Sequence, residues 1–215
     1  NQIFDKETTT KTGLETLDVL NGVDLQSEEI AWITGSDVNF CAQAFPTVGY
    51  DHPDAPILTV LGAVLRNGFL HSAIREKGGA YGSGAQQDSA SRSFRFFSYR
   101  DPNCMETFNA FNESIEWSLK SINSEKLEEG ILGVISSIDK PGSPAGEARA
   151  DFNQNIRGID QSKRKIFRNR VINCSVERLV EVSNKYLTGE PKRSVISGKH
   201  FEKEIKDLGL SIHNV

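Results

Sequence analysis

The chain has few sulfur-containing residues and no long apolar run. Its 215 residues include one methionine, Met105, and it does not begin with methionine. Three widely spaced cysteines, Cys41, Cys104 and Cys174, argue against a disulfide framework and favour a reducing compartment. No stretch approaches the apolar run needed to cross a bilayer, and the N-terminus has no signal-peptide core, so no membrane partner is expected. These features predict a piece of a longer polypeptide.

Acidic residues outnumber basic residues only slightly. The 25 Lys and Arg residues face 29 Asp and Glu residues, a formal net charge of −4. This balance excludes a broad nucleic-acid footprint. The predicted helix 161–172 is rich in basic residues, so nucleic-acid binding is kept as an alternative function. The favoured interpretation is a solvated face, with Ile166, Val171 and Ile172 turned inward.

Common catalytic signatures are missing as well. None of the four histidines lies in a His-x-x-Glu-His order, and no Cys-x-x-Cys pair suggests a structural zinc site. No Gly-x-Ser-x-Gly elbow is present. A Cys–His nucleophile pair stays open, although scattered cysteines in strands and helices are more often buried apolar fillers. The sequence therefore predicts no metal ligands in this chain.

The order of elements predicts an α+β fold, with a largely antiparallel sheet and helices packed on one face. Strands are predicted at 29–34, 38–45, 81–87, 93–99 and 193–197, because short β-branched or aromatic runs end at turn residues. Phe94 and Phe96 alternate along one strand, which is typical of core residues. A peptide-binding sheet surface is the alternative for this pair. Helical periodicity predicts helices at 55–75, 105–119, 124–138, 146–157, 161–172 and 176–187, with a short helix from Phe201.

The helix at 55–75 leads into the most informative segment of the chain. Asp54 is its predicted N-cap, Arg75 lies in its last turn, and Gly78 and Gly79 supply a left-handed stop before Tyr81. A phosphate cradle needs its glycines before a helix rather than after one, which excludes a nucleotide site here. Two interpretations stay open. Arg75 and Tyr81 bind a peptide backbone, or they merely complement the helix end and cap the sheet.

Several strings resemble the C-terminal region of the pitrilysin/insulinase zinc peptidases, most closely the presequence protease branch. The most specific is Ile74-Arg-Glu-Lys-Gly-Gly-Ala-Tyr-Gly82, in register after a helix. The resemblance runs roughly from Ile30 to Leu187. Weaker matches, persuasive by their order, are His52-Pro-Asp54, Leu65-Arg-Asn-Gly68, Leu70-His71, Ser98-Tyr-Arg-Asp-Pro102, Gly146-Glu-Ala-Arg149, Ile156-Arg-Gly158 and the Gln161 to Arg170 helix.

This resemblance implies a protease of two similar halves that close around a chamber. The N-terminal half of such enzymes carries zinc on a His-x-x-Glu-His motif, whose glutamate acts as general base. The C-terminal half supplies an arginine and a tyrosine that hold the substrate backbone and the oxyanion. Those roles map onto Arg75 and Tyr81, which have the family's six-residue separation, and Gly78 and Gly79 are expected to form the structural turn between them.

Residues 1–27 are polar and rich in Thr, Asp and Asn, which predicts a linker. The resemblance implies a C-terminal, non-zinc-binding peptidase domain at 28–215. The expected function is substrate binding within a zinc metalloendopeptidase that degrades unstructured peptides. The N-terminal half of the same polypeptide is the expected partner and holds the zinc, so this chain alone should be inactive. A non-catalytic scaffold or partner subunit of the same fold is the alternative. The expected compartment is the cytoplasm in a bacterium, or else the mitochondrial matrix or a plastid.

Overall fold

The computed structural model describes residues 28–215, and this range contains six strands and seven α-helices. The predicted linker at 1–27 lies outside the described residues. A π-helical segment, Arg66–Lys77 (the π segment), continues α1, and a 3-10 turn, Lys199–Phe201, precedes α7. The strands are β1 (Ile30–Thr34), β2 (Phe40–Pro46), β3 (Gly82–Asp88), β4 (Ser93–Tyr99), β5 (Lys192–Gly198) and β6 (Ser211–Asn214). The α-helices are α1 (Ala55–Leu65), α2 (Met105–Lys120), α3 (Ser124–Ile138), α4 (Pro144–Ile156), α5 (Gln161–Ile172), α6 (Val176–Leu187) and α7 (Glu202–Asp207).

All six strands form one open sheet in the order β3-β4-β2-β5-β1-β6. The β3–β4, β4–β2 and β2–β5 pairs are antiparallel. β1 pairs in parallel with β5 on one side and β6 on the other. The predicted α+β class with a largely antiparallel sheet is confirmed, and the first four predicted strands share that sheet. The parallel pairs and the strand β6 were not predicted from the sequence.

The helices cover one face of this sheet, and strand alternation decides which residues meet them. In β4, Phe94 and Phe96 are fully buried against the helices, so the core interpretation is confirmed. Phe97 and Tyr99 alternate with them and stay about two-fifths exposed on the opposite face. We call that uncovered side of the sheet the open face. Its exposure follows from the period of two along a strand.

α1 lies at the centre of the helical layer and packs closely on β3. Nine of its eleven residues are buried. A Cβ placed on Gly62 would lie 2.9 Å from the carbonyl oxygen of Ala85, so only glycine allows this approach. The continuous helix Ala55–Lys77 is long and apolar enough to cross a membrane by length and composition, contrary to the sequence-based expectation. The burial of α1 in the core accounts for that composition.

Asp54 occupies the N-cap position of α1 but does not act as the predicted cap. Its backbone has helical angles (φ −82°, ψ −18°), and its side chain accepts no hydrogen bond from the first turn. The carboxylate instead accepts hydrogen bonds from Arg178 (2.7 Å), Lys185 (2.9 Å) and Tyr186 (2.8 Å), all on α6. The prediction of a capping side chain was therefore wrong, because three donors from another helix take the carboxylate.

Candidate active-site corner

The π segment ends in a tight, hydrogen-bonded turn that places Arg75 at the helix end. The Gly78 amide donates to the carbonyl of Ala73, five residues earlier, at 3.1 Å. The Gly79 amide then donates to the carbonyl of Arg75, also at 3.1 Å. Gly79 has φ +80°, where a side chain is strained, whereas Gly78 has φ −78°. The prediction that at least one of the two glycines adopts positive φ is confirmed.

Tyr81 follows this turn and lies immediately before the edge strand β3, so the predicted strand began one residue too early. Its amide donates to the carbonyl of Arg100 at 3.2 Å, which ties the corner to the end of β4. The side chain is 68% exposed, and its ring contacts Tyr99 edge to face at 5.6 Å between centroids. The phenol is therefore not needed to fill the core.

Arg75 is also exposed, and its guanidinium contacts His71 of the π segment. Nη1 lies 3.5 Å from Nε2 of His71, four residues earlier. The structure thus brings Arg75, Gly78, Gly79 and Tyr81 together at one exposed corner beside β3. We predict that the side chains of Arg75 and Tyr81 face the same concave surface. The arrangement offers guanidinium and phenol donors next to β3, which is an edge strand among residues 28–215.

The open face carries a row of apolar and aromatic side chains that reaches this corner. Register pairs Phe40 with Ile196, Ile196 with Trp32, and Trp32 with His213. Phe40 contacts Tyr99 edge to face at 5.4 Å, and the rings of Trp32 and His213 are 5.0 Å apart. We call these five residues the aromatic row. It crosses five of the six strands and ends beside Tyr81.

Sequence reasoning missed the aromatic row. Its peptide-binding alternative concerned Phe94 and Phe96, which the structure places in the core. A signal was present on β4, since Tyr99 lies three positions after Phe96. Strand residues an odd number of positions apart point to opposite faces, so one of the two had to lie outside the core. The contributions of β1, β5 and β6 depend on strand order, which no local pattern reveals.

Among residues 28–215, no three His, Cys, Asp or Glu side chains come together in a group suited to a metal ion. The four histidines are dispersed: His52 precedes α1, His71 lies in the π segment, His200 in the 3-10 turn and His213 in β6. The described residues therefore do not fit the zinc site of the resembling family. The groups that Arg75 and Tyr81 place at the corner, a guanidinium and a phenol, are both able to donate hydrogen bonds.

The cysteines are buried and do not form a nucleophilic site. Cys41 and Cys104 are neighbours in the core, and the Cys104 thiol together with burial raises the pKa of Cys41 far above its ordinary value. Burial raises the pKa of Cys174 to about 12. A thiol with a raised pKa is a poor nucleophile, because the thiolate is the reactive form. The interpretation of the cysteines as buried fillers is confirmed.

Ion pairs with the rest of the fold occupy much of the basic face of α5. Lys163 pairs with Asp51 at 2.9 Å, and Arg164 and Arg168 pair with Asp151 and Asp139. This supports the solvated interpretation of that helix. The prediction that Ile166, Val171 and Ile172 all turn inward was wrong for two of them, since only Val171 is buried. Phe167 and Val171, four residues apart, form the core-facing stripe instead.

A family model described as the PreP C-terminal domain matches residues 34–195. Among curated relatives, the mitochondrial presequence protease of Danio rerio is 35% identical over 152 residues, or 70% of this chain and 14% of that protein. The mitochondrial presequence protease of Yarrowia lipolytica is 36% identical over 159 residues, covering 74% of this chain and 16% of that protein. The chain thus spans about one seventh of the length of these relatives.

Solved structures share the fold at low sequence identity. A protease from Helicobacter pylori superposes with a TM-score of 0.68 at 16% identity, over 80% of this chain and 45% of that chain. Pitrilysin gives a TM-score of 0.60 at 15% identity, over 79% of this chain and 19% of that chain. The inactive peptidase domain of a putative zinc protease from Bordetella parapertussis gives a TM-score of 0.63 at 17% identity, over 75% of this chain and 92% of that chain.

Proposed function

The chain belongs to the PreP C-terminal domain family, and from that premise we propose that it is the substrate-holding domain of a zinc metalloendopeptidase that degrades unstructured peptides. Its relatives are named presequence proteases and are about seven times longer than the matched segment. Room therefore exists in such a polypeptide for an N-terminal half that holds zinc and the general base. In this proposal, residues 28–215 form the domain and residues 1–27 link it to that half.

The exposed pair Arg75 and Tyr81 is the observation that carries the proposal. An arginine that only complements a helix end, or a tyrosine that only caps a sheet, does not need to be held in a fixed position relative to the other. Here a turn with Gly79 at positive φ holds both residues at one corner, and neither is buried. Within the parent enzyme, the Arg75 guanidinium holds a carbonyl of the substrate backbone. The Tyr81 hydroxyl donates to the oxygen that becomes negative as the peptide is attacked.

The aromatic row supports a peptide as the substrate. Neighbouring strands lie about 4.8 Å apart, so the row from Tyr99 on β4 to His213 on β6 extends over about 19 Å. An extended peptide advances about 3.3 Å per residue, so some six residues would fit along the row. Its exposed rings offer apolar contact to side chains of varied sequence, which suits unstructured peptides rather than one folded partner.

The relatives favour one of the compartments considered. Both presequence proteases described above are named mitochondrial, which supports the mitochondrial matrix as the proposed location. The cytoplasm stays the alternative for a bacterial source. Zinc is the proposed cofactor of the parent protein and is assigned to its other half.

A second candidate function is a non-catalytic scaffold or partner subunit. Domains of similar fold are named as inactive peptidase domains in Bordetella parapertussis and Pseudomonas fluorescens. Such a scaffold has no use for an exposed arginine and tyrosine at a glycine-fixed corner. The retained pair therefore favours an active parent.

The test is the kinetics of variants in the full-length parent. Tyr81→Phe removes one oxyanion donor and should lower kcat by about 10²–10³ with an unchanged melting temperature. Arg75→Ala should raise KM and lower kcat as well. Tyr50→Phe is the matched control, because Tyr50 stacks on Phe167 in the helical layer and should leave kinetics unchanged. Wild-type kinetics in both test variants would remove the corner from the active site.

A further inference from the structure

In the π segment, His71 contacts both the Arg75 guanidinium and the Glu76 carboxylate. His71 lies between two neighbours: its Nε2 is 3.5 Å from Nη1 of Arg75, and its Nδ1 is 3.4 Å from Oε1 of Glu76. The imidazole is about half exposed, and Glu76 is more so. None of these three side chains fills the core. Their contacts therefore need an explanation other than packing.

Hydrogen-bonding chemistry decides which nitrogen of His71 carries the proton. A guanidinium has five N–H donors and no acceptor, so the nitrogen facing Arg75 has to be the one with the lone pair. In a neutral imidazole the other nitrogen, Nδ1, then carries the hydrogen. Nδ1 lies 3.4 Å from Oε1 of Glu76, so the hydrogen on Nδ1 is close to a negative charge. The contact with His71 occupies one guanidinium N–H of Arg75 and leaves four for a substrate.

The π-helical geometry is what makes this chain of contacts possible. Residues five apart in an α-helix differ by about 140° in direction, so Glu76 would lie far around the helix from His71. In a π-helix the hydrogen bonds join residues five apart, which places Glu76 one turn above His71. The bond from the Gly78 amide to the Ala73 carbonyl shows that spacing at the end of the segment. π-helical turns are rare and occur often at functional sites.

We propose that His71 is the positioning residue for Arg75, with Glu76 holding the imidazole in the Nδ1–H tautomer. The guanidinium is then presented to the substrate backbone in one orientation rather than sampling many. Orienting a long side chain in advance lowers the entropy lost when a substrate is bound. This inference rests on the proposed role of Arg75 in binding peptides. The chain of contacts itself is open to a test that involves no peptide.

The first experiment measures the tautomer on the 215-residue chain. Long-range ¹H–¹⁵N spectra, recorded where the imidazoles are neutral, should show His71 protonated at Nδ1 with a bare Nε2. Glu76→Gln should weaken that preference, whereas Glu128→Gln, at an exposed position on α3, should leave it unchanged. A His71 protonated at Nε2 would overturn the proposal, because that nitrogen could not accept from Arg75.

The second experiment uses kinetics of the full-length parent. His71→Leu should raise KM up to about five-fold, the range expected for one exposed polar pair, with little change in melting temperature. His71→Gln should restore most of the affinity, because its amide oxygen can accept from Arg75. In an Arg75→Ala background, His71→Leu should have no further effect. The same rise in KM without Arg75, or a loss of melting temperature with normal KM, would assign His71 a merely structural role.

The two experiments separate this inference from the proposed function. If Arg75→Ala leaves kinetics normal while His71 is protonated at Nδ1, the role of Arg75 in catalysis fails and the contact chain stands. If Arg75→Ala impairs binding while the tautomer is wrong, the proposed function stands and His71 loses its role.

Discussion

At the scale of single residues, Asp54 is a buried carboxylate that accepts hydrogen bonds from three side chains of α6. It is 4% exposed and receives hydrogen bonds from Arg178, Lys185 and Tyr186. Burial alone would raise the pKa of its carboxyl group. The hydrogen bonds from Lys185 and Tyr186, with the charge of Lys185, outweigh that effect and hold the pKa below its ordinary value. The carboxylate thus joins the start of α1 to α6.

We predict that Asp54→Asn lowers the free energy of unfolding by about 1.5–3 kcal/mol at neutral pH, the usual range for hydrogen bonds to a charged group. The pKa is lower in the folded state, so the contribution of the carboxylate is present above the unfolded pKa. It is lost as the pH falls through the folded value. The difference in stability between wild type and variant should therefore shrink below about pH 4, as measured by urea denaturation across pH.

Asp51→Asn is the matched control for this prediction. Asp51 lies three residues earlier, is exposed and pairs with Lys163 alone. Exposed pairs contribute about 0–1 kcal/mol, so this variant should denature almost like the wild type. Equal losses in the two variants would show that the contacts of Asp54 with α6 add nothing to stability.

At the scale of elements, a comparison of two helical glycines distinguishes the effect of packing on stability from the effect of helix propensity. Gly62 on α1 faces the backbone of β3, with Ala85 oxygen 2.9 Å from the position of a Cβ. Gly133 on α3 is exposed and has nothing within 4 Å of that position. Replacing glycine by alanine favours a helix at both sites to a similar degree. Any difference between the two variants therefore reports the contact of α1 with the sheet.

Gly133→Ala should stabilise the protein by about 0.5–1 kcal/mol, the usual gain within a helix. Gly62→Ala should instead destabilise it by about 1–3 kcal/mol, because the new methyl group has to push α1 away from β3. Thermal and urea denaturation of the two variants measure both values. If Gly62→Ala were as stabilising as Gly133→Ala, the close approach of α1 to β3 would be refuted.

At the scale of the whole molecule, the proposed function gives this domain the substrate contacts and gives the other half of the parent protein the zinc and the general base. Arg75 and Tyr81 donate hydrogen bonds, but neither supplies a nucleophilic water or a metal. Within residues 28–215 no suitable group of metal ligands exists. The proposed division of roles between the halves of the parent protein is compatible with this distribution.

The isolated 215-residue chain is predicted to bind no stoichiometric zinc and to cleave no peptide, because it lacks ligands at zinc-site spacing. Elemental analysis of purified protein, with peptide cleavage assayed before and after chelation, tests this. Zinc bound at one equivalent together with activity lost on chelation would contradict the prediction. Combining the chain with its N-terminal half should be required for turnover.

The sequence by itself determined most elements and the location of the candidate corner. Local signals sufficed for this: helical periodicity bounds α3, α5 and α6, and glycines after Arg75 predict the stop in which Gly79 adopts positive φ. These signals are carried by neighbouring residues, so a single sequence contains them. The family resemblance also depends on such a local string.

Only the tertiary structure decided the features that depend on distant partners. The parallel pairing of β1 with β5 and β6, and hence the aromatic row, joins residues more than 150 positions apart. The Asp54 side chain does not cap α1, because its carboxylate accepts hydrogen bonds from Arg178, Lys185 and Tyr186 on α6. The π-helical turn that brings Glu76 to His71 is not signalled by a periodicity of 3.6. The strand pairing and the role of Asp54 are set by competition between local preference and long-range contact. These long-range contacts exist only once the chain is folded.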